Sequence, residues 1–178
     1  MRVDKPRILP LALEDRDDEA LDALKTVTNA SGQVLNIFST FARRPAGLKA
    51  FLEWGLYILQ KTEMSARERE ILILRTGHRC DSGYEFHQHT RIGLRSGLTE
   101  QDIEALQTPS GEGQWSDKEA LLVKAADELF EDRFLGTETW EGLATHYSQE
   151  QLMDIVFVVC QYTQVSMLLN SFGVQLEK

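Results

Sequence analysis

Apolar side chains recur every three or four residues along most of this chain, and no stretch keeps the strict apolar–polar alternation of a half-buried β-strand. This spacing predicts an all-α fold with seven or eight helices, the first of them over residues 17–29. A serine followed three residues later by Glu or Gln marks several helix starts, because the two side chains can satisfy each other's free backbone N–H groups. Such pairs are Ser65 with Glu68, Ser116 with Glu119, and Ser148 with Gln151.

The beginning of the chain differs from the rest. Pro6 and Pro10 oppose a regular helix, so residues 1–16 are predicted to be an extended arm, of the kind that often packs on a neighbouring subunit. Residues 17–178 are predicted to form a single helical domain. The segment 108–114 is rich in turn formers, and we interpret it as a surface loop because the helices on either side are too few to bury their apolar faces alone.

The last long helix, which follows Ser148, is apolar on most of its surface. Polar residues such as Asp154 and Gln161 interrupt the apolar run, which argues against a membrane-spanning segment and favours a buried or interface helix. Cys160 lies within this run and is expected to be a small buried hydrophobic residue.

Composition narrows the possible partners. The chain has 178 residues and a formal net charge of −9, and a protein that neutralises nucleic-acid phosphates or anionic lipid needs a basic face that this sequence does not show. No apolar run of signal-peptide length precedes the acidic segment 14–19. A cytoplasmic protein without nucleic-acid or membrane partners is therefore expected.

Most of the candidate acid–base groups lie between Glu70 and His89. Glu70 directly precedes the apolar run 71–74, so its carboxylate is expected to be drawn inward. A second helix is expected to begin at Ser82, which places Glu85 and His89 four residues apart on one helical face. Two interpretations stay open: Ser82 and Glu85 form another capping pair beside an ordinary helix pair, or these groups form an acid–base site.

Residues 84–89, Tyr-Glu-Phe-His-Gln-His, resemble the Tyr-Glu-Trp-x-x-His element of the carboxymuconolactone decarboxylase family, which includes the AhpD-like alkyl hydroperoxidases. The resemblance extends through Arg-Glu-x-Glu-x-x-Ile-Leu-Arg at 67–75 and the Gly-Leu-Thr-Glu turn at 97–100. In the peroxidase branch of the family, two cysteines occupy the places of Ser82 and Glu85. This chain therefore resembles the decarboxylase-like branch, which lacks the Cys-x-x-Cys pair.

The resemblance implies an AhpD-like helical fold that assembles as a homo-oligomer, commonly a trimer or hexamer, with its pocket near a subunit interface. It also implies a cofactor-independent, lyase-type enzyme. Its substrate would be a small carboxylated or lactone compound, as found in aromatic catabolism. No metal is expected, because His87 and His89 are two residues apart, diverge on a helix and could not chelate one ion together.

The family motif assigns roles to particular side chains. His89 would be the general acid–base, since an unperturbed imidazole titrates near ~6.5 and exchanges protons readily at neutral pH. Glu70 and Glu85 would orient the imidazole or relay its proton, and Ser82 would be a polar contact. Further candidates for contact with the substrate are Tyr84, Cys80 and Arg91. The arginines that could bind a substrate carboxylate are Arg43, Arg44, Arg75, Arg79 and Arg91.

Two alternatives remain. An AhpD-like thiol peroxidase would have to use Cys80, because the hydroxyl of Ser82 cannot cycle through a disulfide. A non-catalytic, oligomeric ligand-binding protein would use Ser82, Glu85 and His89 as a buried hydrogen-bond network.

Overall fold

The computed structural model describes residues 1–177. Within this range the regular secondary structure consists of nine α-helices and one 3-10 turn, Leu13–Asp15. The helices are α1 (Asp18–Leu24), α2 (Asn36–Phe41), α3 (Pro45–Gln60), α4 (Ala66–Arg79), α5 (Gly83–Arg95), α6 (Glu100–Ala105), α7 (Asp117–Glu131), α8 (Thr137–Ala144) and α9 (Gln149–Phe172). The all-α prediction is confirmed, although the helices number nine rather than seven or eight.

Helix α4 lies at the centre of the fold and packs against α5, α7 and α9. It begins with the predicted capping box, in which the backbone N–H of Ser65 donates to Glu68 Oε2 and that of Glu68 donates to Ser65 Oγ. All four side chains of residues 71–74 are fully buried. Four consecutive residues cover every side of a helix, so an uninterrupted apolar run requires neighbours all round.

One buried arginine ties α4 to the rest of the core. The side chain of Arg75 is fully buried and forms a two-pronged ion pair with Asp127 of α7, at 2.8 and 2.9 Å. Its remaining N–H groups donate to the carbonyl oxygens of Leu106, Thr108 and Pro109. Because all five donors are used within the fold, Arg75 is unavailable to a substrate carboxylate.

The first helix is shorter than predicted and ends at Leu24 rather than at residue 29. The Thr28 hydroxyl donates to the Leu24 carbonyl, and the Asn29 side chain accepts from the backbone N–H groups of Ser31 and Gln33. These local side-chain bonds satisfy the backbone outside a helix, which is why Asn and Thr compete with helical structure.

The two ends of the described chain lie beside the α5 helix and each other. The backbone N–H groups of Arg7 and Ile8 both donate to the carbonyl of Phe172, at the end of α9. Glu177 accepts hydrogen bonds from the Tyr84 hydroxyl at 2.7 Å and from Gln88 Nε2 at 2.6 Å. These contacts seat the N-terminal segment against the end of α9 and seat Glu177 against the helix that carries Glu85 and His89.

Helix α9 is the one helix in residues 1–177 that is long and apolar enough to cross a membrane, and more than half of that apolar stretch is buried inside the protein. Cys160 is exposed on this helix, so the prediction that it is buried is wrong. It lies seven residues from each of the exposed side chains of Met153 and Met167. Seven residues are close to two helical turns, so these three side chains form one apolar stripe on the outer face of α9.

Candidate active site

The turn between α4 and α5 brings Glu70 opposite His89. Cys80 ends α4, Asp81 adopts a left-handed backbone conformation with φ 54°, and Ser82 precedes α5. An Asp residue tolerates this conformation better than most non-glycine residues. The chain thereby reverses within three residues, and residues 19 apart in sequence come into contact.

Glu70, His89 and Glu85 form one linear array, which we call the Glu–His–Glu array. His89 Nδ1 lies 2.7 Å from Glu70 Oε2, and His89 Nε2 lies 2.9 Å from Glu85 Oε1. All three side chains are buried, Glu70 completely. The other oxygen of Glu70, Oε1, is buried without a hydrogen-bond partner among the described residues. Both imidazole nitrogens are thus held by carboxylates, which determines the orientation of the ring.

The array keeps a proton on His89. Burial by itself lowers the pKa of His89, but the carboxylates of Glu85 and Glu70 outweigh burial and raise the pKa from 6.5 to about 10. The imidazole is therefore protonated at neutral pH, and the expectation of ready proton exchange near its ordinary pKa is wrong. Sequence spacing indicated Glu85 as a neighbour of His89. The fold brings the Glu70 carboxylate to the opposite ring nitrogen, and the two carboxylates together raise the pKa of His89.

Protonation of His89 links the array to stability. The unfolded chain releases this proton near pH ~6.5, whereas the folded protein holds it to about pH 10. We expect the stabilisation from the charged His89 to be complete below about pH 6.5 and to be lost as pH rises through about 10. Urea unfolding across this range measures the decline, and His89→Asn should flatten it. Imidazole NMR signals of His89 that titrate near ~6.5 would contradict the assignment.

Ser82 and Glu85 do not form the capping box that was one of the two open interpretations. Ser82 precedes α5 without a side-chain capping bond, and its Oγ is buried without a hydrogen-bond partner among residues 1–177. Glu85 instead turns toward His89. The carboxylate that could have capped α5 is therefore part of the acid–base array.

This difference between two helix-start serines predicts different effects of the same substitution. Ser65→Ala removes a real cap and should cost about 1 kcal/mol of unfolding free energy. Ser82→Ala removes an unpaired hydroxyl, so its cost should stay below about 0.5 kcal/mol. Urea denaturation of the two variants compares them directly. A loss at Ser82 equal to the loss at Ser65 would show that Ser82 caps α5 in solution.

The array adjoins a cavity of about 290 Å³. Glu85, His89 and Tyr162 contribute to its wall, and most of the remaining wall is apolar. The apolar lining residues are Val27, Leu35, Ile37, Phe38, Phe51, Leu52, Leu56, Leu59, Ile92 and Val165. The cavity therefore offers a water-poor surface with acid–base groups at one side, which is the general form of a small-molecule site.

Tyr162 is a site residue that the sequence analysis missed. Its ring stands edge-on to the His89 ring, with the centroids 5.0 Å apart. Burial, followed by the charges of Glu85 and Glu70, raises the pKa of Tyr162 well above its ordinary value, so the phenol keeps its proton. A tyrosine on the buried face of α9 was the available signal, because a buried hydroxyl requires a polar neighbour.

Ser82 and Arg91 lie elsewhere. Both line a separate cleft of about 330 Å³, together with His78 and His87. Tyr84 does line the His89 cavity, although its hydroxyl is bound to Glu177. The structure thus brings Glu70, Glu85 and His89 together, whereas Ser82 and Arg91 line the other cleft.

Cys80 is half-buried at the end of α4 and has a pKa raised by burial, which outweighs the opposite effect of the neighbouring Thr163 and Ser166 hydroxyls. Its thiol is therefore a poor source of thiolate at neutral pH. Within residues 1–177, no group of three or more His, Cys, Asp or Glu side chains has an arrangement suited to holding a metal ion.

The fold is shared with AhpD-like proteins of known structure. An AhpD-core, uncharacterized peroxidase-related protein from Ralstonia eutropha JMP134 superposes with a TM-score of 0.82 at 18% identity, over 96% of this chain and 93% of that one. A peroxidase-related protein from Silicibacter sp. TM1040 superposes with a TM-score of 0.80 at 16% identity, over 99% and 91% of the two chains. This protein therefore has an AhpD-like helical fold.

The sequence adds a second similarity. Residues 45–128 match the carboxymuconolactone decarboxylase family, which confirms the resemblance seen in the motif. A variant of the debrominase Bmp8, solved in complex with 2,3,4-tribromopyrrole, also shares the fold, with a TM-score of 0.76 at 15% identity over 96% of this chain and 91% of that one. No curated protein sequence matches the chain.

Proposed function

We propose that this protein is a cofactor-independent enzyme that transfers a proton at carbon in a small, uncharged and largely apolar compound, such as a lactone. The observation that carries the proposal is the buried Glu–His–Glu array at the wall of an apolar cavity. A carboxylate and a neutral phenol in one water-poor cavity are a base and a hydrogen-bond donor for an enolate.

The cavity favours an uncharged substrate. None of the described residues that line it is Lys or Arg. Arg75 is bound within the core, and Arg79 is paired with Glu131 and Asp127. A substrate carboxylate in this cavity would be desolvated beside an array in which two carboxylates, Glu70 and Glu85, outnumber the single His89 imidazolium, and no Lys or Arg of the described lining would compensate it, which is costly. We therefore favour the lactone alternative over a carboxylated compound.

The proton transfer can be written with the groups present. The Glu85 carboxylate removes a proton from the carbon next to the substrate carbonyl, and the bonding electrons remain on the substrate as an enolate. The Tyr162 phenol donates a hydrogen bond to the enolate oxygen, while the His89 imidazolium stabilises the charge nearby. Glu85 then returns the proton to carbon. Glu70 acts as a positioning residue, since it holds the far side of the imidazole.

This scheme also covers a lyase. In a lactone that carries a carboxylate, loss of carbon dioxide breaks the bond between the ring carbon and the carboxylate, and the electron pair remains on the lactone as the same kind of enolate. The His89 imidazolium would then supply the proton at carbon. The decarboxylase reaction that names the family would thus use the same groups, but it requires a charged substrate, which this cavity disfavours.

The proposal is tested with two lactones. The purified protein is incubated with α-angelica lactone, whose proton shift to the conjugated isomer raises ultraviolet absorbance, and with γ-carboxymuconolactone, from which carbon dioxide release is measured. We expect isomerisation of the uncharged lactone, with deuterium incorporated at carbon in D₂O. Turnover of γ-carboxymuconolactone alone would establish the decarboxylase and overturn the preference for an uncharged substrate. Turnover of neither compound would count against lactone chemistry.

The protein is also proposed to act as a homo-oligomer. The apolar stripe of Met153, Cys160 and Met167 on α9 is exposed and lies on the helix for which a buried or interface position was predicted. Pairing of such stripes between copies would remove apolar surface from water. Light scattering measures the assembly, and Met167→Glu should shift it toward the monomer.

A further inference from the structure

A second cavity, which we call the outer cavity, lies between α3, α9 and the N-terminal segment. Its volume is about 520 Å³, well within the range of small-molecule sites. Its apolar lining residues are Ile8, Phe41, Leu48, Ala50, Phe51, Trp54, Leu168 and Phe172. It shares only Phe51 and Gln161 with the His89 cavity, so these two side chains form a common wall.

Two polar atoms of the residues that line the outer cavity have unused hydrogen-bonding capacity. Thr40 Oγ1 and Gln161 Oε1 are both buried, and neither has a partner among the described residues. Each of these side chains is about 3% exposed. Buried polar groups without partners are rare in folded proteins, so a pair of them lining one cavity points to a ligand that supplies the missing bonds.

The mouth of the outer cavity is positively charged. Arg43 and Arg44 line it and are exposed, and no Asp or Glu is among its described lining residues. Arg43 Nε donates a hydrogen bond to the carbonyl oxygen of Leu9, and the terminal nitrogens of Arg43 remain available to other partners. In a chain with a net charge of −9, two adjacent arginines beside an apolar cavity provide a local preference for an anion.

We propose that the outer cavity is a second binding site, which takes an amphipathic carboxylate. The apolar body of the ligand packs against Phe41, Trp54 and Phe172. Its carboxylate meets Arg43 and Arg44 at the mouth. A hydroxyl or other polar group on the ligand, when present, bonds to Thr40 and Gln161. The site is distinct from the proposed catalytic cavity, whose described lining residues include no Lys or Arg.

Calorimetry with decanoate, at concentrations below its micelle formation, tests the proposal on the full-length protein. We expect saturable binding of one decanoate per chain, together with a change in Trp54 fluorescence. Decan-1-ol, which has the same apolar chain without the charge, should bind at least tenfold more weakly. Equal binding of the acid and the alcohol would overturn the assignment of a carboxylate site, as would the absence of saturable decanoate binding.

Variants locate the binding site. The double variant Arg43→Gln, Arg44→Gln should weaken decanoate binding at least tenfold, whereas Arg95→Gln, an exposed arginine on α5, should leave it unchanged. Equal weakening by both would show a general charge effect and refute the site. Thr40→Val should leave thermal stability equal or higher, because it removes an unpaired hydroxyl, while lowering the affinity for a 3-hydroxydecanoate more than that for decanoate.

Separate measurements distinguish the ligand site from a subunit interface and from the catalytic proposal. Light scattering with and without decanoate reveals whether a second copy covers the outer cavity. Dissociation of the oligomer in step with decanoate binding would show that the cavity is a subunit interface and would overturn the ligand site. Since calorimetry requires no turnover, failure of decanoate binding leaves the lactone reaction standing, and failure of lactone turnover leaves the outer cavity standing.

Discussion

Replacing Glu85 with glutamine is expected to lower kcat for lactone isomerisation by about 100- to 10,000-fold, the usual contribution of a general base. Glutamine has nearly the same shape and can still bond to His89 Nε2, so the fold should persist. It cannot accept a proton from carbon. The loss should therefore fall on kcat rather than on KM, as expected for a group that acts in the transition state.

A second readout distinguishes this role from a structural one. Glu85 is one of the two carboxylates that raise the pKa of His89, so Glu85→Gln should also bring that pKa down from about 10. Imidazole NMR signals report the change. Glu141→Gln, at an exposed position of α8, is the matched control and should alter neither kcat nor the His89 pKa. Full activity of the Glu85 variant would show that Glu85 is not the general base and would leave His89 and Tyr162 as the candidates.

Replacing Arg75 with methionine is expected to lower the free energy of unfolding by about 3 kcal/mol. Methionine fills a similar volume, but it leaves the Asp127 carboxylate without its two-pronged partner and removes a donor from three backbone carbonyls, of which that of Thr108 keeps the Gly111 N–H. Breaking one side of a buried pair is costly because the remaining charge stays desolvated. The proximity of Arg79 Nε to Asp127, at 3.5 Å, places the expected loss near the lower end of the usual range.

Urea denaturation measures this loss, with Arg95→Met as the control for an exposed arginine. The control should change stability by less than about 0.5 kcal/mol. The double variant Arg75→Met, Asp127→Leu should recover part of the stability, because it removes the stranded carboxylate as well. A single Arg75 variant as stable as the control would show that the ion pair contributes nothing beyond packing.

Most helix positions could be predicted from the sequence, because helix capping and apolar spacing depend on residues that are close together along the chain. The pairs beginning at Ser65, Ser116 and Ser148 all form as predicted, each at the start of a helix. Residues 25–29 were wrongly included in the first helix because side-chain bonds of Thr28 and Asn29 hold a turn there. Cys160 was wrongly placed in the core because α9 is apolar on its outer face as well as its inner one.

The candidate site was predicted only in part. The spacing of Glu85 and His89 on one helix indicated their contact, but it could not exclude a capping role for Glu85. That choice depends on the approach of Glu70 from α4, which provides the second carboxylate at 2.7 Å from the imidazole. Tyr162, from a helix more than 70 residues further along the chain, enters the cavity through packing alone.

By itself the sequence determined the helical class, most helix starts, the burial of residues 71–74 and the pairing of Glu85 with His89, because each depends on residues close together along the chain. Only the tertiary structure decided that His89 stays protonated, that Arg75 is a core anchor and that Arg43 and Arg44 border an apolar cavity. These properties arise from distant groups brought into contact, where burial and neighbouring charges set each side chain's chemistry.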